Sequence, residues 1–270
     1  MTSLPTPADL GDVEAALASL ATPAPRSLAH RTLVAVGLAD EYATMDSPIG
    51  RVFVAWNGRG VSAVDAAGDA ATFEARFRVD HGRPIHAAAA VPARFERALV
   101  RRLNGDRRTP LALDLRGRTD FERAVWLKAL EIPRGEVRPY GWIAAEIGRP
   151  KAVRAVGSAL AHNPVPLVVP CHRVVRSDGL IGQYSLGGPA NKRAILSAEG
   201  LDPDELEALA RAGIRYFGSD TTRIYCLPTC RHARRATARH RVMFRSAADS
   251  EAAGYRACRV CRPDSAARAA

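Results

Sequence analysis

Residues 168–175 read Val168-Val169-Pro170-Cys171-His172-Arg173-Val174-Val175. An apolar segment stiffened by Pro164, Pro166 and Pro170 leads into a cysteine followed at once by a histidine. This sets a soft nucleophile beside a proton acceptor at the end of a predicted buried strand. A thiolate is a far better nucleophile than a thiol, and a neighbouring imidazole promotes its formation. On these residues alone, a small core cysteine among valines explains the pattern equally well. The flanking sequence has to decide.

Upstream, Phe121, Val125 and Leu130 mark a helix that stops before Ile132-Pro133-Arg134-Gly135. Two further helices are predicted over 142–147 and 151–161, parted by Gly148-Arg149-Pro150. Two short helices joined by a tight turn have the outline of a helix-turn-helix. In the second, Val153, Val156, Gly157 and Leu160 form an apolar stripe. Lys151, Arg154, Ala155 and Ser158 lie opposite. That outer face is small and basic, so a nucleic-acid backbone can come close with one long arginine standing out. A solvated helix face is the plainer account of any single arginine there.

Further toward the N-terminus, 51–56 reads as a strand, Asn57-Gly58-Arg59-Gly60 as a turn and 61–65 as the returning strand of a hairpin. A helix over 94–103 follows, and the alternation Leu111, Leu113, Leu115 predicts another strand. The fold class is therefore α/β: a small mixed unit over 45–118, then a mainly helical unit over 119–200. Residues 1–44, rich in alanine, threonine and proline, read as a weakly structured extension. Within it Leu10, Val13, Leu17 and Leu20 have the spacing of a short amphipathic helix. A linker helix is predicted over 201–215.

Residues 216–270 form a third, different unit. Between 216 and 263 ten arginines face three acids. Cys226-x3-Cys230 and Cys258-x2-Cys261, with 27 residues between, make two chelating pairs. This is the spacing of a four-cysteine zinc site, Cys226, Cys230, Cys258 and Cys261, holding one ion. With few large apolar residues between the pairs, the metal would supply much of the folding energy. Disulfides are the alternative. They are disfavoured because the N-terminus lacks the basic start and apolar core of a signal peptide and a cytoplasmic location is expected.

The whole 270-residue chain carries 39 Lys+Arg against 28 Asp+Glu, net +11, with 47% hydrophobic residues. A surplus of that size favours a polyanionic partner, nucleic acid before an anionic membrane surface. No apolar run approaches bilayer length. No organic cofactor is implied.

The text from Ile132-Pro133-Arg134-Gly135-Glu136-Val137 through Pro139-Tyr140-Gly141, Lys151-Ala152-Val153-Arg154-Ala155-Val156-Gly157, Asn163-Pro164-Val165-Pro166, Pro170-Cys171-His172-Arg173-Val174-Val175 and Gly182-Gln183-Tyr184 to Lys192-Arg193-x-Ile195-Leu196-x2-Glu199-Gly200 resembles the O6-alkylguanine-DNA alkyltransferase family. The resemblance covers roughly 45–200 and implies a ribonuclease-H-like first unit and a helix-turn-helix catalytic unit. It implies that Cys171 accepts an alkyl group from O6-methylguanine, and from O4-methylthymine, in double-stranded DNA, in a single turnover. His172 would relay the thiol proton toward Glu199, Tyr140 would donate to the base, and Asn163 would hold the site backbone. Arg154 would fill the gap left by the flipped nucleotide, flanked by Lys151, Ala155 and Ser158, and Ser185 would wall the base pocket. The interval between Tyr184 and Lys192 is one residue longer than in many relatives.

The C-terminal text, Thr221-x2-Ile224-Tyr225-Cys226-x-Pro228-x-Cys230-Arg231 and Gly254-Tyr255-Arg256-Ala257-Cys258-x2-Cys261-Arg262-Pro263, resembles the zinc-binding methylphosphotriester-repair domain of Ada. It implies Cys226 as a second methyl acceptor. The expected protein is a monomer, cytoplasmic and held at the nucleoid through DNA. Two alternatives stand beside it: a non-catalytic alkylation-lesion sensor or DNA-binding protein with a structural zinc module, and a cysteine hydrolase using Cys171, His172 and Glu199.

Overall fold

A computed structural model describes residues 26–263 apart from residue 67, and before 26 only residues 11, 15 and 18. The helix expected around Leu10 and Leu20 lies outside the described residues.

The first sheet has the order β3-β2-β1-β4. Its centre is β1 (Asp40–Ser47), antiparallel to β2 (Gly50–Asn57), which pairs in turn with β3 (Gly60–Asp65). β4 (Ile85–Ala87) adds to the far edge of β1 in parallel. A Cβ on Gly60 would sit 2.3 Å from the Ala112 carbonyl oxygen, so only glycine fits where the hairpin meets the 111–115 segment. The sheet thus takes in residues assigned above to the extension, and α1 (Arg26–Val36) packs on β1 and β2. The strand expected around Leu113 reduces to one bridge with Val61. There Asp114 turns its carboxylate inward to Asn57, Arg83 and Arg116, so the ladder does not propagate.

α2 (Ala70–His81), capped by Asp69, covers one face of the sheet with Phe73 and Phe77. α3 (Ala93–Leu103) brings Phe95 and Leu99 to another cluster. That cluster runs without a break from Val54 and Trp56 through Val125, Trp126, Ile143, Val156 and Leu160 to Val169 and Cys171. The α/β unit and the helical unit therefore share one core. Val64 N–H also donates to the Pro164 carbonyl at 2.8 Å, tying β3 to the loop that precedes Cys171.

α4 (Asp120–Ala129) opens with a complete capping box between Thr119 and Glu122. Its Trp126, fully buried, donates to the Ala159 carbonyl at 2.8 Å. That bond pins α4 to α6 (Val153–Ala161), the second helix of the pair formed with α5 (Tyr140–Glu146). β5 (Arg138–Pro139) and β6 (Val174–Val175) make a two-residue parallel pair on either side of the Cys171–Arg173 turn. α7 (Gly188–Ala198) follows, and α8 (Pro203–Arg211), capped by Asp202, leads out of the unit.

The last unit is a four-stranded sheet of order β10-β8-β7-β9: β7 (Tyr216–Ser219), β8 (Ile224–Cys226), β9 (Arg241–Phe244) and β10 (Arg256–Ala257), with α9 (Ala247–Ala252) packed on it. It has a core of its own, Tyr216, Phe217, Tyr225, Leu227, Phe244 and Tyr255, gathered around the four cysteines. Among the described residues no helix is long and apolar enough to cross a membrane.

Because one indole both fills the shared core and joins two helices, Trp126→Ala should cost roughly 3–5 kcal/mol. Denaturant unfolding should show this as a lower midpoint of a single transition for residues 40–200. Two separate transitions would contradict the shared core.

Candidate active site and metal centre

Cys171 opens a single turn of 3₁₀ helix, and its thiol is buried at 5% exposure. The loop in front of it is held by Asn163. The Asn163 side chain accepts from Val165 N–H at 3.1 Å and donates to the Val169 carbonyl at 3.0 Å and to Cys171 Sγ at 3.2 Å. Within that loop Leu167 has φ +71°, a left-handed conformation that a branched side chain adopts only when its surroundings enforce it.

His172, next in the turn, is 1% exposed. Its Nε2 lies 3.1 Å from Glu199 Oε1, while Nδ1 is buried without a partner. Glu199 is the hub of the site. Arg173 reaches it through Nε at 3.1 and 3.0 Å and through Nη2 at 2.6 Å, and Gly135 N–H donates to Oε2 at 3.1 Å. Arg173 is fixed in turn by Nη1 donating to the Ile132 carbonyl at 2.7 Å. Burial alone would raise the Glu199 pKa, but the hydrogen bonds of His172 and Arg173 and the Arg173 charge outweigh it and hold it down to about 2.

The opposite balance governs the two residues beside it. Burial pushes the Cys171 thiol above its ordinary range, against the Asn163 hydrogen bond and the charge of Lys192. Burial also pushes His172 below its ordinary range, against Glu199. The resting pair is therefore neutral thiol and neutral imidazole, next to a carboxylate that stays charged. Lys192, 0% exposed, donates to the Val174 carbonyl at 2.6 Å and the Gln183 carbonyl at 3.3 Å, and burial brings it down to about 8. Tyr140 and Tyr184 both have hydroxyls raised by burial and by the proximity of Cys171.

The structure thus gathers Cys171, His172, Glu199, Asn163 and Tyr140. Ser185 is exposed on a cleft of about 240 Å³ that Asn163 and Pro166 also line, while Cys171 is not among the residues lining it. Arg154, Ala155 and Ser158 are exposed on α6, with Val156 and Leu160 buried beneath, while Lys151, expected on the same helix, is exposed in the turn just before it because the helix starts only at Val153. Sequence reasoning quoted Arg173, Tyr184 and Lys192 but gave them no part. The signal was there for two of them: a charge set inside or beside a run of buried apolar residues must be paired, and that pairing builds a site.

The sulfurs of Cys226, Cys230, Cys258 and Cys261 lie within 4.8 Å of one another, all buried. A tetrahedral ion with Zn–S bonds of 2.3 Å needs sulfurs about 3.8 Å apart, so the four thiols fit zinc with small shifts. Cys226 and Cys258 also line a cleft of about 490 Å³, together with Thr221, Arg235, Arg256 and Arg259.

A buried cysteine next to a His–Glu pair and beside a helix-turn-helix has the make-up of a cysteine group-transfer protein. Comparison with known proteins agrees. Residues 120–201 match the model of the 6-O-methylguanine DNA methyltransferase DNA binding domain, and residues 209–264 match the metal binding domain of Ada. A methylated-DNA–protein-cysteine methyltransferase of Mycobacterium tuberculosis is 40% identical over 161 residues, covering 58% of this chain and 91% of that protein. The bifunctional transcriptional activator/DNA repair enzyme Ada of Escherichia coli is 41% identical over 157 residues, 56% of this chain and 43% of that one. A solved structure of Mycobacterium tuberculosis OGT in complex with DNA aligns at TM-score 0.49 and 37% identity, over 59% of this chain and 92% of that chain. The chain belongs to the methylated-DNA–protein-cysteine methyltransferases, the repair enzymes that act by direct alkyl transfer. It carries in addition an Ada-type module with a four-cysteine zinc site.

The Glu199 carboxyl falls from 4.5 to about 2 on folding, so its contribution is complete above pH 4.5 and is lost as pH falls through 2. The shift corresponds to roughly 3 kcal/mol. Glu199→Gln should be less stable at neutral pH and should lose less stability than the unsubstituted chain between pH 4.5 and 2. Chemical unfolding at several pH values checks this.

Proposed function

We propose that Cys171 is the alkyl acceptor for O6-methylguanine in double-stranded DNA. The observation that carries this is a buried Cys171 thiol, held by Asn163, in the same turn as a buried His172 whose Nε2 lies 3.1 Å from Glu199. The site stores its nucleophile as a thiol, and the relay can take the proton only when a substrate makes the thiolate useful. The buried, unpartnered His172 Nδ1 suits a water bridging to Cys171.

In the transfer step the Cys171 Sγ–CH₃ bond forms as the O6–CH₃ bond breaks. The thiol proton passes through that water to His172, where Glu199 stabilises the imidazolium. The electron pair of the broken bond stays on the guanine, and the Tyr140 hydroxyl meets the charge developing there. The guanine anion takes its proton by way of the Tyr140 hydroxyl, and the imidazolium gives up the proton it took from Cys171 to restore that hydroxyl, so that guanine ends with one proton gained, Cys171 with one lost and His172 neutral again. The product is a thioether with no easy leaving group, so each molecule acts once. O4-methylthymine offers the same methyl-oxygen bond.

A base inside a stack is out of reach of a buried thiol, and extruding it costs a few kcal/mol. Arg154 is exposed on α6 between small residues. In this reading it occupies the vacated stack position, with Lys151, Ala155 and Ser158 giving clearance and a phosphate contact. Ser185 stands at the edge of the base pocket. In this reading the protein works as a monomer in the cytoplasm, at the nucleoid through its DNA contacts.

A second acceptor is favoured by the cleft at the metal site. Of the four cysteines, Cys230 and Cys261 are fully buried, whereas Cys226 and Cys258 line the arginine-bearing cleft. Zinc bound there keeps the sulfurs deprotonated at neutral pH. Cys226 Sγ can then take a methyl from a phosphotriester, with the phosphodiester leaving as an anion that Arg235, Arg256 or Arg259 would receive.

Incubation with duplex DNA containing O6-methylguanine should add one methyl mass to the Cys171 peptide. Tight DNA binding with Cys171 unmodified would instead make the chain a lesion sensor. With methylphosphotriester DNA, a methyl that survives Cys171→Ala and disappears in Cys226→Ala assigns the second acceptor. Tyr140→Phe should slow transfer by roughly 10²-fold, the usual cost of one donor aimed at a developing oxyanion, measured under single-turnover conditions.

A further inference from the structure

Residues 135–142 serve two masters. On one side they build the Cys171 site: Gly135 N–H bonds Glu199, Arg138 and Pro139 pair with Val174 and Val175 directly after the Cys171–Arg173 turn, and Tyr140 lies near enough to Cys171 for the two to interact electrostatically. On the other side the same segment is gripped by the zinc module. Glu136, 1% exposed, accepts from Arg231 N–H at 3.2 Å. Val137 N–H donates to Thr229 Oγ1 at 2.9 Å. Trp142 Nε1–H donates at 3.0 Å to the carbonyl of Cys261, itself one of the four ligands. Arg262 pairs with Glu146 at 2.7 Å and lies 5.5 Å from the centre of the Trp142 ring.

The module's contributors are not scattered. Thr229 and Arg231 flank Cys230, and Cys261 and Arg262 close the second cysteine pair. Arg262 itself has φ +45°, a conformation the loop must enforce. Loops of this kind hold their shape through the metal. Their hydrogen bonds to 136, 137 and 142 are therefore only as rigid as the zinc site is complete.

We propose that the zinc module braces the Cys171 site, with Trp142 and Thr229 as its positioning residues, so that zinc occupancy sets the rate of alkyl transfer. The inference rests on Cys171 being the acceptor and adds a control over it. Coupling between two sites is reciprocal. A methyl on the buried Cys171 sulfur displaces the Asn163 hydrogen bond and crowds the turn that β6 shares with β5, so the used protein holds its zinc less firmly.

The test uses the full, zinc-loaded chain and two variants, Trp142→Phe, which keeps an aromatic ring and removes the N–H, and Thr229→Val. Zinc release is followed by a chromogenic chelator, and methyl transfer is followed in single turnover at saturating O6-methylguanine duplex, with DNA affinity measured separately. Loss of one such bond should speed zinc release by about tenfold and slow transfer several-fold with DNA affinity unchanged. The unsubstituted chain methylated at Cys171 should release zinc faster than the unmodified chain. Equal zinc release in the unmodified chain, the Cys171-methylated chain and both variants overturns the proposal, as does undiminished transfer by a folded, zinc-depleted chain. Absence of transfer in the loaded, unsubstituted chain would count against the acceptor reading instead, because the two variants report on the brace through zinc release alone.

Discussion

One buried carboxylate organises this molecule. Glu199 sits at the C-terminal end of α7 and is met by His172 and Arg173 from the turn that carries Cys171, and by the Gly135 backbone from the segment that carries Tyr140. Removing such a charge from water costs several kcal/mol unless its lone pairs are filled. Here five hydrogen-bond contacts fill them. Meeting that demand forces three distant pieces of chain into one place. The same arrangement that makes the charge tolerable also keeps it ionised, which is the property a proton relay needs at its far end.

Much of this was legible in the sequence because the chemistry is local there. Cys171 and His172 are neighbours, the helix pair around Gly148 is bounded by breakers, and the four cysteines announce themselves by spacing. Glu199 was reached only through resemblance to a family, since nothing in a lone glutamate 27 residues downstream points back to a histidine. Arg173 and Lys192 stayed silent because a basic residue in text looks the same exposed or buried. Both prove to be buried and committed, Arg173 to Glu199 and Lys192 to backbone carbonyls. The sheet was misjudged at its start. β1 reads Asp-Glu-Tyr-Ala-Thr-Met-Asp-Ser, too polar to look like a central strand. Yet Asp40 is completely buried, because Asn57, Ser62 and Arg83 satisfy it. The supposed strand at Leu113 failed for the same cause, a buried acid drawing the chain out of the ladder.

The two cysteine sites show contrasting ways to manage a thiol. At Cys171 burial keeps the proton on, and nearby groups stand ready to remove it. At the four-cysteine site the donor set suits a cation that takes the proton off beforehand. The first arrangement fits a substrate that must be drawn in and shielded, the second a substrate presented at a cleft. A single chain carrying both has little chemistry in common between its two cysteine sites. What they share is a strip of backbone, residues 135–142.

The distribution of the cores has a bearing on how such a chain arises. The α/β unit and the helical unit have no boundary a recombination event could use, because cutting between them would split one hydrophobic cluster in two. They must be inherited together. The zinc module owns its core and meets its neighbour through hydrogen bonds and ion pairs, contacts that a handful of substitutions can create or erase. Such a unit is portable: it can be gained, lost or carried at either end of a gene, and only afterwards be stitched to its host.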